Sequence, residues 1–226
     1  MNVVEHEHFK SVYWIELDDN TRKLATVNLA RKTQVYGERL IEINGVEYRI
    51  WDPYRSKLAA SILKNIKENP ITSGKHVLYL GAASGTTSSH VSDIVGTNGC
   101  VYCIEISSRP LRDLLRVCAK RINMLPILAD ARQPHSYSSL VNKVDVIYQD
   151  IAQPDQTEIL LANAKIFLRR GGHAMLSLKA RSVDVTKEPR EIFRNEMEKL
   201  EKEMEIIDAK ILDPYEKDHA MFLLRK

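Results

Sequence analysis

The run HVLYLGAASGTTSSH, residues 76–90, decides the fold of this 226-residue chain. An apolar stretch, Val77 to Leu80, stops at Gly81; Gly85 follows, and a helical pattern opens at Thr86 and Thr87. The next apolar run is closed by an acidic residue, Glu105. A strand, a glycine turn, a helix and a second strand ending in a carboxylate is how an open α/β sheet holds a nucleoside-containing ligand.

Downstream, apolar runs at 77–81, 100–104, 124–128, 144–149 and 172–178 alternate with helical patterns near 86–96, 109–121, 155–168 and 188–204, with a shorter one near 135–142. Such alternation predicts a doubly wound parallel sheet covered on both faces. The last two runs, 205–212 and 219–225, have only DPYEKD between them and should pair as an antiparallel hairpin. A doubly wound sheet that finishes this way points to the seven-stranded methyltransferase variant rather than the dinucleotide one.

Upstream, residues 1–52 read as a small β domain of two hairpins. ERLIEI and VEYRIW flank Asn44-Gly45, and SVYWIEL and KLATVNL flank Asp18-Asp19-Asn20. From Pro53 the period becomes helical, with Leu58, Ala59, Ile62, Leu63 and Ile66 on one stripe that Pro70 should end. The division is therefore 1–52 and 53–226, the first part serving for packing or docking.

Composition sets bounds. A 44% hydrophobic content supports a packed core, and no apolar run is long enough to span a bilayer, so a cytosolic protein is the default. The three cysteines are too few for a disulfide framework. Cys100 and Cys103 fall on one strand at an odd separation, on opposite faces, which disfavours a metal or redox pair. The net charge of +3 is mild, so nucleic-acid affinity must come from local clusters or partner proteins.

Ligands of such sheets lie outside the carboxyl ends of the strands. Gly81 and Gly85 would let a ligand approach the backbone, with Thr86 and Thr87 at the helix start. Glu105 could accept both ribose hydroxyls, Asp130 with Ala131 suits an adenine amino group, and Asp150 is followed by Ile151, Ala152 and Gln153. Three carboxylates closing successive strands repel one another unless a cation or basic partner intervenes. The GxGxxG spacing that fits a pyrophosphate is missing, and S-adenosylmethionine, with a sulfonium and an ammonium, suits acidic strand ends better.

Lys57, Asp150, Lys179 and His219 come from distant stretches that the topology brings to one rim. Lys57 falls in the first turn of its helix, where the macrodipole should hold down its pKa, and two neighbouring lysines would depress one another. Such a cluster could free an amine to activate a ribose 2′-hydroxyl, with Lys179 as general base, Asp150 orienting it, Lys57 tuning it and His219 assisting. Arg109, Arg112, Arg116 and Lys120 form a basic stripe opposite Leu111, Leu114, Leu115 and Cys118, either solvated or in contact with phosphate. On the charged helix 188–204, Phe193, Met197, Leu200 and Met204 read as core packing.

Together VYGERLI, YRIWDPYRSKLAASIL, VLYLGAASGTTSSHVSDIVG, VYCIEIS, DVIYQDIAQPDQ and GGHAMLSLKARSVD resemble the fibrillarin family in its archaeal form, across nearly the whole chain. The resemblance implies a class I S-adenosylmethionine-dependent fold and RNA 2′-O-methylation within a box C/D ribonucleoprotein acting on rRNA and tRNA. It places cofactor contacts at Thr86, Thr87, Glu105, Ile106, Asp130, Ala131 and the turn Asp150 to Gln153. It places the family's Lys-Asp-Lys-His pattern at Lys57, Asp150, Lys179 and His219, and implies no metal. Implied partners are a guide RNA, a Nop-domain scaffold protein and a kink-turn-binding protein, in an archaeal cytoplasm. The chain departs from the family at Ile106, where an aromatic is usual, and at Asp52-Pro53-Tyr54 in place of Asn-Pro-Phe. A non-catalytic subunit, a protein methyltransferase and a nicotinamide oxidoreductase are the rival readings.

Overall fold

The first fifty residues form an antiparallel sheet of β1 (Asn2–Glu5), β2 (Tyr13–Glu16), β3 (Arg22–Val27), β4 (Leu40–Ile43) and β5 (Val46–Ile50), in the order β1-β2-β3-β5-β4. Asn44 and Gly45 both have positive φ, 52° and 78°, as a tight primed turn between β4 and β5 requires. The two expected hairpins thus merge through the β3–β5 pairing. Sequence reading did not separate out the edge strand β1, because of its four residues only Val3 is even partly covered.

A computed structural model describes residues 1–226. After the first sheet come α1 (Lys57–Leu63), β6 (His76–Leu80), α2 (Thr86–Val95), β7 (Cys100–Glu105), α3 (Ser108–Cys118), β8 (Met124–Leu128) and β9 (Val144–Gln149). The chain then forms α4 (Gln156–Phe167), β10 (Leu168–Lys179), α5 (Ala180–Val183), α6 (Pro189–Leu200), β11 (Glu205–Ile211) and β12 (His219–Arg225). The strands build a seven-stranded sheet in the order β11-β12-β10-β9-β6-β7-β8. β6 to β10 run parallel, and β12 lies antiparallel between β10 and β11.

Period-two alternation divides the core. On β6, Val77 and Tyr79 join the cluster that packs against α1, α2 and the first sheet, while Leu78 and Leu80 join the cluster under α4 and α6. On β7, Cys103 belongs to the first cluster and Cys100 packs against the second, the opposite-face placement their spacing predicts. Phe193, Leu200 and Met204 are buried in the second cluster with Met197 packed against it. Leu115 departs from expectation, being 49% exposed.

The two sheets are joined by a largely buried polar network. Arg49 on β5 pairs with Glu38 at 2.6 Å and with Asp93 on α2 at 2.8 Å; Arg121 also pairs with Asp93. Thr26 gives its only hydroxyl proton to Asp93, so His90 Nδ1 must donate to Thr26 while Nε2 accepts from the Tyr36 hydroxyl. The Trp51 ring stacks on His90 at 4.8 Å. Burial, with the charges of Arg49 and Arg121, pushes the His90 pKa well below its ordinary value. Arg49 and its neighbours balance two cations against two carboxylates, and removing one member would strand a buried charge at a cost of about 3–5 kcal/mol.

Element ends differ from the sequence expectation for local reasons. α1 stops at Leu63, well before Pro70, because Asn65 takes a left-handed conformation with φ 55°; Ile66 is still buried, but off the helix. β10 begins at Leu168, through an irregularity before His173 that Gly171, with φ 71°, accommodates. α6 ends at Leu200 rather than 204, and the short helix near 135–142 is one 3-10 turn, Pro134–Tyr137.

Two expected outcomes follow. The folded chain resists protonating His90, and burial also lowers His219, so stability is complete above pH ~6.5 and falls as pH drops below it. Urea unfolding at pH 7.5 and 5.0 should show this fall, and a His90→Gln variant should be less stable at pH 7.5 yet show a shallower decline; equal slopes would remove His90 as a cause. At Gly81, with φ 84°, an added Cβ would lie 2.3 Å from the Asp150 carbonyl oxygen. Gly81→Ala should therefore lose about 2–4 kcal/mol, a Tm drop of roughly 5–15 °C by calorimetry.

Candidate functional site

The chain leaves β6 toward β7 and β8 on one side and returns to β9 on the other, so the carboxyl ends of β6 and β9 flank a topological switch point. There the Gly81 and Ala82 amides both donate to the Ile104 carbonyl at 3.0 Å. The turn carries Ala83 close to Glu105, whose Oε2 accepts the Ala83 N–H and whose Oε1 accepts the Ser107 N–H, each at 2.8 Å. Both carboxylate oxygens are fixed in place, and each keeps acceptor capacity for a ligand hydroxyl.

These strand ends enclose a cleft of about 250 Å³. Gly81, Glu105, Ile106, Asp130 and Ala131 line one part, and Asp150, Ile151, Ala152 and Gln153 line the other. Ile106 is 58% exposed and presents an aliphatic face. Asp130 accepts the Arg132 backbone N–H at 2.9 Å.

Three further residues of the expected set, Gly85, Thr86 and Thr87, are not in the lining of this cleft. Gly85 faces α3, where an added Cβ would meet Leu114 at 3.2 Å, so its missing side chain makes room for that helix. Gly81 likewise makes room for the Asp150 carbonyl. Thr86 opens onto a separate hollow beside Arg55 and Arg116. Thr87 donates to Ser56 Oγ at 3.1 Å, and Ser56 caps α1 by accepting from the Ala59 N–H. It thereby ties α2 to the helix that carries Lys57.

Arg132 also lines the cleft, a contribution the sequence reading missed. It donates to both Asp155 oxygens, at 2.9 and 3.1 Å, and to Gln153 Oε1 at 2.6 Å, latching the outer wall. Its signal was a basic residue directly after Asp130-Ala131. As the cleft's only cation it is already engaged, and the acidic floor favours a cationic ligand over a phosphate.

Asp150 also belongs to a second group of residues. Its Oδ2 accepts from Lys57 Nζ at 3.0 Å, and Glu216 lies 3.7 Å from the same ammonium. Burial opposes the charged amine, but Asp150 and Glu216 outweigh it, so the Lys57 pKa is raised. This corrects the expectation of an amine held down by its helix terminus, because ion pairs at bonding distance exceed the dipole of a seven-residue helix. Glu216, in the turn before His219, had not been singled out; its signal was an acidic residue three positions from a candidate histidine.

His219 Nδ1 lies 2.7 Å from the Lys217 carbonyl, which can only accept, so Nδ1 carries the proton and Nε2 is left with a lone pair. Burial, aided by the Lys57 charge, pushes the His219 pKa down and keeps the ring neutral at pH 7. Lys179 stands directly opposite His219 in the β10–β12 register. Its backbone is clamped by Gln156, which accepts the Lys179 N–H at 2.9 Å and donates to the Lys179 carbonyl at 3.1 Å. Asp150 therefore engages Lys57 rather than Lys179, the partner expected from sequence.

The fibrillarin family model matches residues 3–226. A fibrillarin-like rRNA/tRNA 2′-O-methyltransferase of Methanopyrus kandleri is 53% identical over 221 residues, 97% of this chain and 95% of the relative. A structure of Aeropyrum pernix fibrillarin in complex with natively bound S-adenosyl-L-methionine aligns with a TM-score of 0.93 at 48% identity, covering 99% of this chain and 98% of that one. A fibrillarin/Nop5p complex aligns at 0.85 and 42% identity over 97% of this chain and 99% of its counterpart. With the whole fold and nearly every residue matched, the chain belongs to the fibrillarin family.

Proposed function

We propose that this chain is the S-adenosylmethionine-dependent RNA 2′-O-methyltransferase subunit of an archaeal box C/D ribonucleoprotein. The observation that carries this reading is the double membership of Asp150, which lines the acidic cleft and bonds Lys57 at the reactive rim. One residue thus links a site for a cationic nucleoside cofactor to a cluster suited to a ribose hydroxyl. Residues 53–226 carry the chemistry, and residues 1–52 form a β domain against it.

Glu105 would hold the ribose hydroxyls, Asp130 and Ala131 the adenine edge, and Ile106 the adenine face. S-adenosylmethionine, when bound, supplies an electrophilic methyl group on a sulfonium. Lys57, fixed as an ammonium between Asp150 and Glu216, presents a stable positive charge to the RNA backbone. Lys179 takes the proton of the attacking 2′-hydroxyl, and neutral His219 steadies the ribose through Nε2. Much of the acceleration is then orientation of one hydroxyl toward one methyl group. Guide RNA pairing chooses the nucleotide, a Nop-domain scaffold holds this subunit, and a kink-turn-binding protein completes the particle, in the cytoplasm. No helix is long and apolar enough to cross a membrane.

Labelled S-adenosylmethionine, incubated with target RNA, guide RNA and the partner proteins, should label the target; a 2′-deoxy nucleotide at the target position should abolish the label. Lys179→Ala should lower kcat by about 10²–10⁴-fold with cofactor Kd unchanged. His219→Gln should lower kcat less than Lys179→Ala does; a larger loss in the histidine variant would transfer the role of base to His219. Ile106→Phe should tighten cofactor Kd by about 2–10-fold in calorimetry, the worth of an aromatic stack.

A further inference from the structure

A second groove, of about 510 Å³, runs between the first sheet and the reactive rim. Four cations line it: Arg22, Lys23, Arg39 and Arg55, all exposed. Arg22 leans on Glu16 at 3.5 Å, while Lys23 and Arg39 reach into solvent. The carboxylates of the lining are already engaged, Glu38 by the buried Arg49 and Asp52 by the Tyr54 backbone N–H. The groove therefore presents net positive charge.

Aromatic rings alternate with these cations. The Arg22 guanidinium lies 4.9 Å from the Trp14 ring and that of Arg55 5.0 Å from Tyr36, so both planar cations are pre-positioned. Tyr54, 62% exposed, meets Tyr215 edge-on at 5.2 Å. That pair joins the groove to the reactive cluster, because Tyr54 and Arg55 directly precede Ser56 and Lys57, and Tyr215 directly precedes Glu216. Arg55 and Tyr36 also line the hollow that holds Arg116 and Lys120, so the positive surface continues onto the basic stripe of α3.

We infer that this groove is the track for the RNA strand flanking the methylated nucleotide, and that the β sheet of residues 2–50 forms its outer wall. Exposed cations at intervals neutralise successive phosphates, and the Tyr54–Tyr215 pair supports the nucleotide next to the target. This rests on the RNA methyltransferase reading, and it gives the first sheet a part in substrate binding as well as packing.

The test uses the assembled particle with target RNA and the double variant Lys23→Ala/Arg39→Ala, both exposed positions that should leave Tm within about 2 °C. Target RNA Kd should rise about tenfold, the log–log salt slope should fall by about 1–2, and kcat and cofactor Kd should stay within twofold. A 4-thiouridine next to the target nucleotide should crosslink to the peptides containing Tyr54 or Tyr215. Unchanged RNA Kd and salt slope, or a crosslink confined elsewhere, would overturn the inference. Loss of scaffold protein from the variant particle, with RNA binding restored by excess scaffold, would assign the groove to that protein instead. Binding and crosslinking are read without turnover, so a particle that binds RNA in the groove but transfers no methyl group would refute the functional reading alone.

Discussion

Asp93 is the buried acceptor on which the relation between the two sheets depends. Its fully buried carboxylate takes hydrogen bonds from Arg49, Arg121, the Thr26 hydroxyl and the Leu29 backbone N–H. A charge so placed is tolerable only while all its donors stay in register, which makes the arrangement unforgiving and therefore specific. His90, three residues earlier on α2, adds a stacked ring and two more hydrogen bonds to the first sheet. Every wall shared between the sheets, including the one carrying Tyr36 and Arg55, inherits its position from this joint.

The same helix faces two ways. Its N-terminal turn binds α1 through Thr87 and Ser56, and α1 carries Lys57 to Asp150. Asp150 in turn is set by Gly81, whose lack of a side chain lets β6 and β9 end almost in contact. The cleft and the reactive rim are thus two faces of one turn, and a shift of either glycine or cap would move both together.

Much of this was legible from residue order. Alternation on β6 and β7, the Asn44-Gly45 turn and the carboxylates at Glu105, Asp130 and Asp150 are local signals, and local signals survive folding. What the sequence hid were relations across distance. Arg49 and Asp93, or Lys57 and Glu216, carry no mark that they will meet, and an acidic residue in a turn looks solvated until its partner is known. The helix-dipole argument for Lys57 failed for that reason, since two carboxylates from elsewhere outweighed the helix that bears it. Thr86 and Thr87 open the helix as expected, but that Thr87 bonds Ser56 on the neighbouring turn while Thr86 stands beside Arg55 could not be read from spacing, because a helix start offers several directions.

The placement of β12 has a consequence for assembly. This strand, the final one in the chain, is inserted inside the sheet, and it brings His219, with Glu216 just ahead of it, to Lys179 and Lys57. Until it arrives, β10 is an open edge with unpaired backbone groups, which invites adhesion between chains. Docking of β12 therefore does two things in one step: it closes that edge and sets His219 opposite Lys179.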